Sequence, residues 1–199
     1  MVKKSLFFFL FVSMAALSNA QVADTVLLNK LGDFDIAALN GDANTAALIG
    51  EQLLSDTTQM QPKARISFFA KLAKAYEGTE QDAKAITYYE KVVAAEPNYY
   101  VAQRALGYLF NDQSEEIQLK LYLTPKDSPG YASVFDDYRT AVHKSLPYLE
   151  KAQACDPDDD TLDLIKTLYM NIHDEAGLHS LNKRLPDLSK NCVDLLSDK

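Results

Sequence analysis

Between Phe69 and Pro97 the chain carries the same kind of alternation twice, a large apolar residue, a small one and an aromatic at helical spacing. Phe69, Leu72, Ala73 and Tyr76 fall on one face of a helix because positions recur about every 3.6 residues, and Ala85, Tyr89 and Val92 do the same in the segment that ends at Pro97. Small residues at Ala73 and Ala85 let the two helices approach closely, while the aromatics fill the space above and below. Thirty-four residues on, Leu72, Ala73 and Tyr76 return as Leu106, Gly107 and Phe110. A pair of helices repeating at a fixed period leaves little freedom for any other architecture.

The period and the residue order resemble the tetratricopeptide repeat. The run Ser145-Leu146-Pro147-Tyr148-Leu149-Glu150-Lys151-Ala152 resembles the same repeat in proteins of bacterial envelopes. The resemblance covers residues 64–110 best, 140–188 less closely, and the remainder weakly. It implies an all-α fold, a stack of antiparallel helical hairpins wound into a right-handed superhelix, and a scaffold that carries a partner rather than a reaction.

The chain reads in order as follows. Residues 24–55 form a degenerate first hairpin, with Leu27, Leu31, Phe34 and Ala38 on one helix, turn chemistry at Asn40-Gly41-Asp42, and Ala46, Ala47, Ile49, Leu53 and Leu54 on the next. Gly50 stands where an aromatic is expected. Ser55 to Pro62 is a polar connection. The clear repeat occupies about 64–97, with Thr79 and Asp82 placed as a capping box for its second helix. A second repeat spans 98–157 but is split by an insertion at about 111–140. Ile117, Leu119, Leu121, Tyr122 and Leu123 are too apolar for a solvated loop, and the Thr124 to Gly130 stretch is turn chemistry. The insertion therefore reads as a longer hairpin, its first helix reaching about Leu123 and its second running from about Ser128 to Cys155, bent at Pro147. A degenerate repeat at 158–190 closes the stack. Leu162, Ile165 and Tyr169 mark its first helix, where Lys166 replaces the small residue, and Leu178, Leu181 and Leu185 mark its second. A short tail follows from Asn191 to Leu196.

With 199 residues, one domain suffices. The net charge of −8 argues against nucleic acid or anionic lipid as a partner, since phosphate contacts need clustered Lys and Arg. At the start, Lys3 and Lys4, the apolar run Leu6–Leu17 and Ser18-Asn19-Ala20 form a secretory signal over residues 1–20, cleaved after Ala20. The run is too short for a membrane span, which needs about 20 apolar residues. The mature chain, 21–199, is expected to be periplasmic or secreted, without stable membrane insertion, and to carry a charge of −10 once the two lysines are gone.

No catalytic constellation stands out. His173 and His179 lie six positions apart, which rotates them by about 120° on a helix and does not aim both at one metal. Neither cysteine lies in Cys-x-x-Cys, and no phosphate loop, nucleophile elbow or His-Glu-x-x-His occurs. Asp156 and Asp158–160 lack the glycine and distal glutamate of a calcium loop and suit a helix N-terminus instead. The expectation is a chain with no enzymatic activity, no metal and no cofactor. Of the tyrosines at 88, 89, 99 and 100, alternate ones are expected to bury.

Cys155 and Cys192 leave two states open. In an exported chain they form one bridge tying the last helix to the end of the long insertion helix, or they remain two buried, unpaired thiols.

The resemblance also implies a partner-binding groove lined by the first helices of successive repeats. Carried onto this chain it selects Ala70 and Lys74, then Arg104, Tyr108 and Asn111, of which Lys74, Arg104, Tyr108 and Asn111 offer donors or an aromatic surface. The family's carboxylate clamp for acidic chaperone tails is not expected, because Ala70 and Ala105 stand where two of its polar residues would be. The function implied is a protein or peptide scaffold. The alternative is a structural subunit of an envelope complex, held by its convex face or by the insertion hairpin.

Overall fold

A computed structural model describes residues 25–194. The described residues hold eight α-helices: residues 25–39 (α1), Ala43–Leu53 (α2), Pro62–Glu77 (α3), Asp82–Ala95 (α4), Tyr100–Leu123 (α5), Tyr131–Cys155 (α6), Asp159–Asn171 (α7) and Glu175–Leu188 (α8). They pack as neighbouring antiparallel pairs, an all-α stack of hairpins, with a 3-10 turn at Leu54–Gln59 joining the first pair to the second. Residues 1–20, read from the sequence as a secretory signal, lie outside the described residues.

The repeating positions are the core. Leu72, Ala73, Tyr76, Ala85, Tyr89, Val92, Leu106 and Phe110 are all buried, as are Ser145, Leu149 and Ala152 on the far side of the insertion. The small residues set the spacing between helices. At Gly107 an added Cβ would lie 2.6 Å from Leu149 Cδ2 and 3.0 Å from the Leu149 backbone nitrogen, so α5 and α6 touch along a line only glycine permits. Gly50, read as the loss of an aromatic, has the same role toward α3: its Cβ would meet Leu72 Cδ1 at 2.5 Å. In the last hairpin the contact is made from the other side. Lys166 points outward and pairs with Asp163 at 2.9 Å, while Gly177 on α8 accepts the ring of Tyr169.

Two apolar clusters result, one built from α1 through the first half of α5, the other from α6, α7 and α8. The long hairpin links them. Tyr148 of α6 packs against Phe110 with the rings tilted and their centroids 5.5 Å apart in the first cluster, and Tyr108, Ile117 and Leu121 of α5 pack on the second. α5 and α6 are 24 and 25 residues long, about 36 Å each. The insertion is thus a continuation of both helices rather than a separate element. Its inner face is held by Val134 and by Gln118, which donates to the Tyr138 hydroxyl at 3.0 Å. Its outer end shows Leu119, Tyr122 and Leu123 to solvent, 61%, 86% and 70% exposed. α6 continues through Pro147, and α8 carries a second internal proline, Pro186.

The caps differ in part from the reading of the sequence. Thr79 does not cap α4: its hydroxyl donates back to the carbonyls of Ala75 and Tyr76, both at 3.1 Å, and so closes α3. Gln81 precedes α4 without a side-chain cap. Aspartates cap three other helices: Asp42 accepts from Thr45 N, Asp158 from Thr161 N and Asp174 from Gly177 N. Asp159 and Asp160 occupy the first turn of α7, where the positive end of the helix dipole favours them.

Cys155 and Cys192 are joined by a disulfide, Cα to Cα 5.5 Å. Beyond it the tail folds back onto the α4–α5 junction. Val193 N donates to Asn98 O at 2.9 Å and forms an isolated parallel bridge with Tyr99, while Lys151 Nζ donates to the carbonyls of Leu188 at 2.7 Å and Lys190 at 3.2 Å.

Candidate functional site

The first helices of the hairpins are α1, α3, α5 and α7, and the four residues selected for a groove lie on α3 and α5. Three of them are engaged inside the molecule. Arg104 Nη1 pairs with Asp156 Oδ2 at 2.8 Å, and its Nη2 donates to the Asp156 carbonyl, so the guanidinium holds the end of α6. Tyr108 is half-buried, with its hydroxyl 3.0 Å from Thr161 Oγ1 in the first turn of α7. Asn111 is buried, its amide donating to Glu115 Oε1 at 3.0 Å. Tyr108 thus ties α5 to the next hairpin and Arg104 ties it to the end of α6, while Asn111 bonds within α5 itself. Ala70, placed on the groove side by the repeat register, is buried in the first cluster instead. The register alone could not show this, because it marks the face a residue lies on and not how far the following hairpin covers it.

Lys74 remains exposed, and its ammonium makes no ion pair or hydrogen bond among the described residues. It stands at the mouth of a cleft of about 310 Å³ where α1, α2 and α3 meet. Ala38, Ala43, Ala46 and Ala75 form an apolar floor, Gly41 leaves one wall open, Gly78 lies close against Ala43, where an added Cβ would come within 2.9 Å, and Leu39 is 79% exposed at the rim. Gly41 has φ +73°, a left-handed turn that glycine adopts without strain, and Asp42 follows as the cap of α2. The second lysine of the cleft, Lys71, is bound to Asp35 at 2.8 Å. The cleft therefore pairs an uncovered apolar surface with one unneutralised cation.

A second cavity, about 430 Å³ between α6 and α8, contains more polar groups. Glu150 is buried; Arg184 donates to it through Nε at 3.0 Å and Nη2 at 2.6 Å, and Tyr169 donates its hydroxyl to the same carboxylate. Arg184 Nη1 reaches the Gly177 carbonyl at 3.0 Å and the Ser180 hydroxyl, so the guanidinium has no donor left for a ligand. The hydrogen bonds that Arg184 donates to Glu150 raise the Arg184 pKa, and burial, reinforced by Glu150, raises that of Tyr169. This cluster fastens α8 to α6 and α7. Nothing in the residue spacing announces it, since its members come from three helices.

An acidic patch flanks the second hairpin. Burial first, then the neighbouring carboxylates of Glu115 and Asp82, hold Asp112 above its ordinary range. No group of three or more His, Cys, Asp or Glu among the described residues is placed to hold a metal ion, and His173 stacks on Phe135 at 5.6 Å. Among the described residues no helix is long and apolar enough to cross a membrane. No protein-family model matches the chain, and comparison with curated proteins finds no match either.

Proposed function

We propose that the chain is an exported, non-catalytic scaffold of the tetratricopeptide type that holds a protein or peptide partner. The observation that carries this reading is the cleft between α1, α2 and α3, where apolar surface lies beside the unpaired Lys74. The disulfide supports export, because such bridges persist in oxidising compartments. Fully satisfied polar clusters, such as that of Glu150 and Arg184, support a rigid body over a reactive centre.

A second reading, a structural subunit of an envelope complex, is favoured by the exposed Leu119, Tyr122 and Leu123 at the end of the long hairpin, since contiguous exposed apolar residues mark contact surfaces. Co-purification from the native host separates the two. The scaffold reading expects a stoichiometric partner that is lost on Lys74→Glu and kept by the Leu119→Ser, Tyr122→Ser double variant. The reverse pattern assigns the partner to the hairpin.

A further inference from the structure

We infer that the cleft at α1, α2 and α3 recognises an acidic–apolar peptide, in which a large aliphatic or aromatic side chain sits next to an Asp or Glu. The inference rests on the scaffold reading and names the partner's chemistry. The floor of alanines and the open wall at Gly41 give about 310 Å³, room for one large side chain, and offer no hydrogen-bonding side chain on the floor to hold a polar one. A pocket of this kind takes an apolar anchor and fixes its orientation through a few polar groups at its edge. Among the described residues, the polar side chains that line the cleft are Lys71 and Lys74, both cationic. Lys71 is neutralised by Asp35, while Lys74 keeps an unshared charge directly beside the apolar space. A lysine is a compact point charge on a flexible stem, suited to a single carboxylate. A basic peptide would leave Lys74 facing a like charge, and a purely polar one would leave the alanine floor and Leu39 uncovered.

The direct test is selection from a random library of capped peptides displayed against the immobilised full-length mature chain with its disulfide intact. The expected result is a consensus that places Asp or Glu within two positions of Leu, Ile, Phe or Met. Synthetic peptides of that consensus should bind Lys74→Glu and Leu39→Asp at least tenfold more weakly than the unaltered protein. Both substitutions lie on exposed side chains, so both variants should keep the helicity and melting temperature of the parent. Lys183→Glu changes the charge by the same amount at another exposed site and should bind normally. Peptides that enrich without an acidic–apolar consensus, or that ignore both cleft variants, would overturn this inference and leave the scaffold reading standing. A selection that enriches nothing would contradict both the inference and the scaffold reading.

Discussion

Arg104 and Tyr108 show what the sequence reveals about individual side chains and what it leaves out. Their register on α5 places them on the side away from Leu106, Gly107 and Phe110. Whether that side faces solvent depends on α7, which arrives more than fifty residues later and brings Thr161 to the Tyr108 hydroxyl. Asp156, at the end of α6, likewise takes up the Arg104 guanidinium. The buried repeat positions were legible because they follow from helix periodicity alone. The engagement of α5 was not, because it depends on contacts between hairpins. The double substitution Arg104→Ala, Tyr108→Ala should therefore lower stability in urea unfolding by about 1–2 kcal/mol, one part-exposed ion pair plus one hydrogen bond. Lys74→Ala should leave the unfolding midpoint unchanged.

Buried tyrosines add a pH dependence at the same scale. Burial, followed by the Asp194 carboxylate, pushes the Tyr99 hydroxyl up to about 12. Burial likewise raises Tyr76, Tyr89 and Tyr169. A phenol free in the unfolded chain titrates near 10. With the folded pKa above the unfolded one, the folded state keeps the proton longer. This contribution is present in full below about pH 10 and is lost as pH rises toward 12. Urea midpoints should hold steady from pH 8 to 9.5 and fall steeply by pH 11. Tyr99→Phe should make that fall shallower.

At the scale of elements, the long hairpin was readable because its apolar residues continue the helical period past the point where the repeat should have turned. α5 ends at Leu123 as that pattern requires. The cap of α4 was misread because Thr79 has two backbone carbonyls of α3 within reach before any amide of α4. The tail is the element least visible in sequence. Its contacts are the Val193–Asn98 hydrogen bond, the carbonyls held by Lys151, and the disulfide, which closes a span of 37 residues containing α7 and α8. Loop-closure entropy for a span of that length gives the bridge a stabilisation of about 4 kcal/mol at most. Cys192→Ser, or reduction with a dithiol, should lower the unfolding midpoint accordingly. Amide exchange should then accelerate in α8 and residues 190–194 and stay slow in α3 and α4.

The whole molecule is a stack whose two ends are finished differently. At the C-terminal end the disulfide and the returning tail close the last hairpin against the body. The first hairpin has no such closure among the described residues. α1 shows Leu28, Ile36 and Leu39 to solvent, and the cleft beside Leu39 carries the one free lysine of the predicted groove. The terminal repeats of a stack normally turn a polar face outward, so an apolar first hairpin is where a partner gains most by docking. The hairpin tip at Leu119, Tyr122 and Leu123 is the rival surface. Site-specific photo-crosslinking in the native host compares them directly, with a photoreactive side chain introduced at Leu39 in one strain and at Leu123 in another. Both positions are solvent-exposed, 79% and 70%, so neither should disturb the fold. A discrete higher-mass adduct from position 39 and none from position 123 is the result predicted. An adduct from position 123 alone, or none from either, would contradict the assignment of the partner to the cleft.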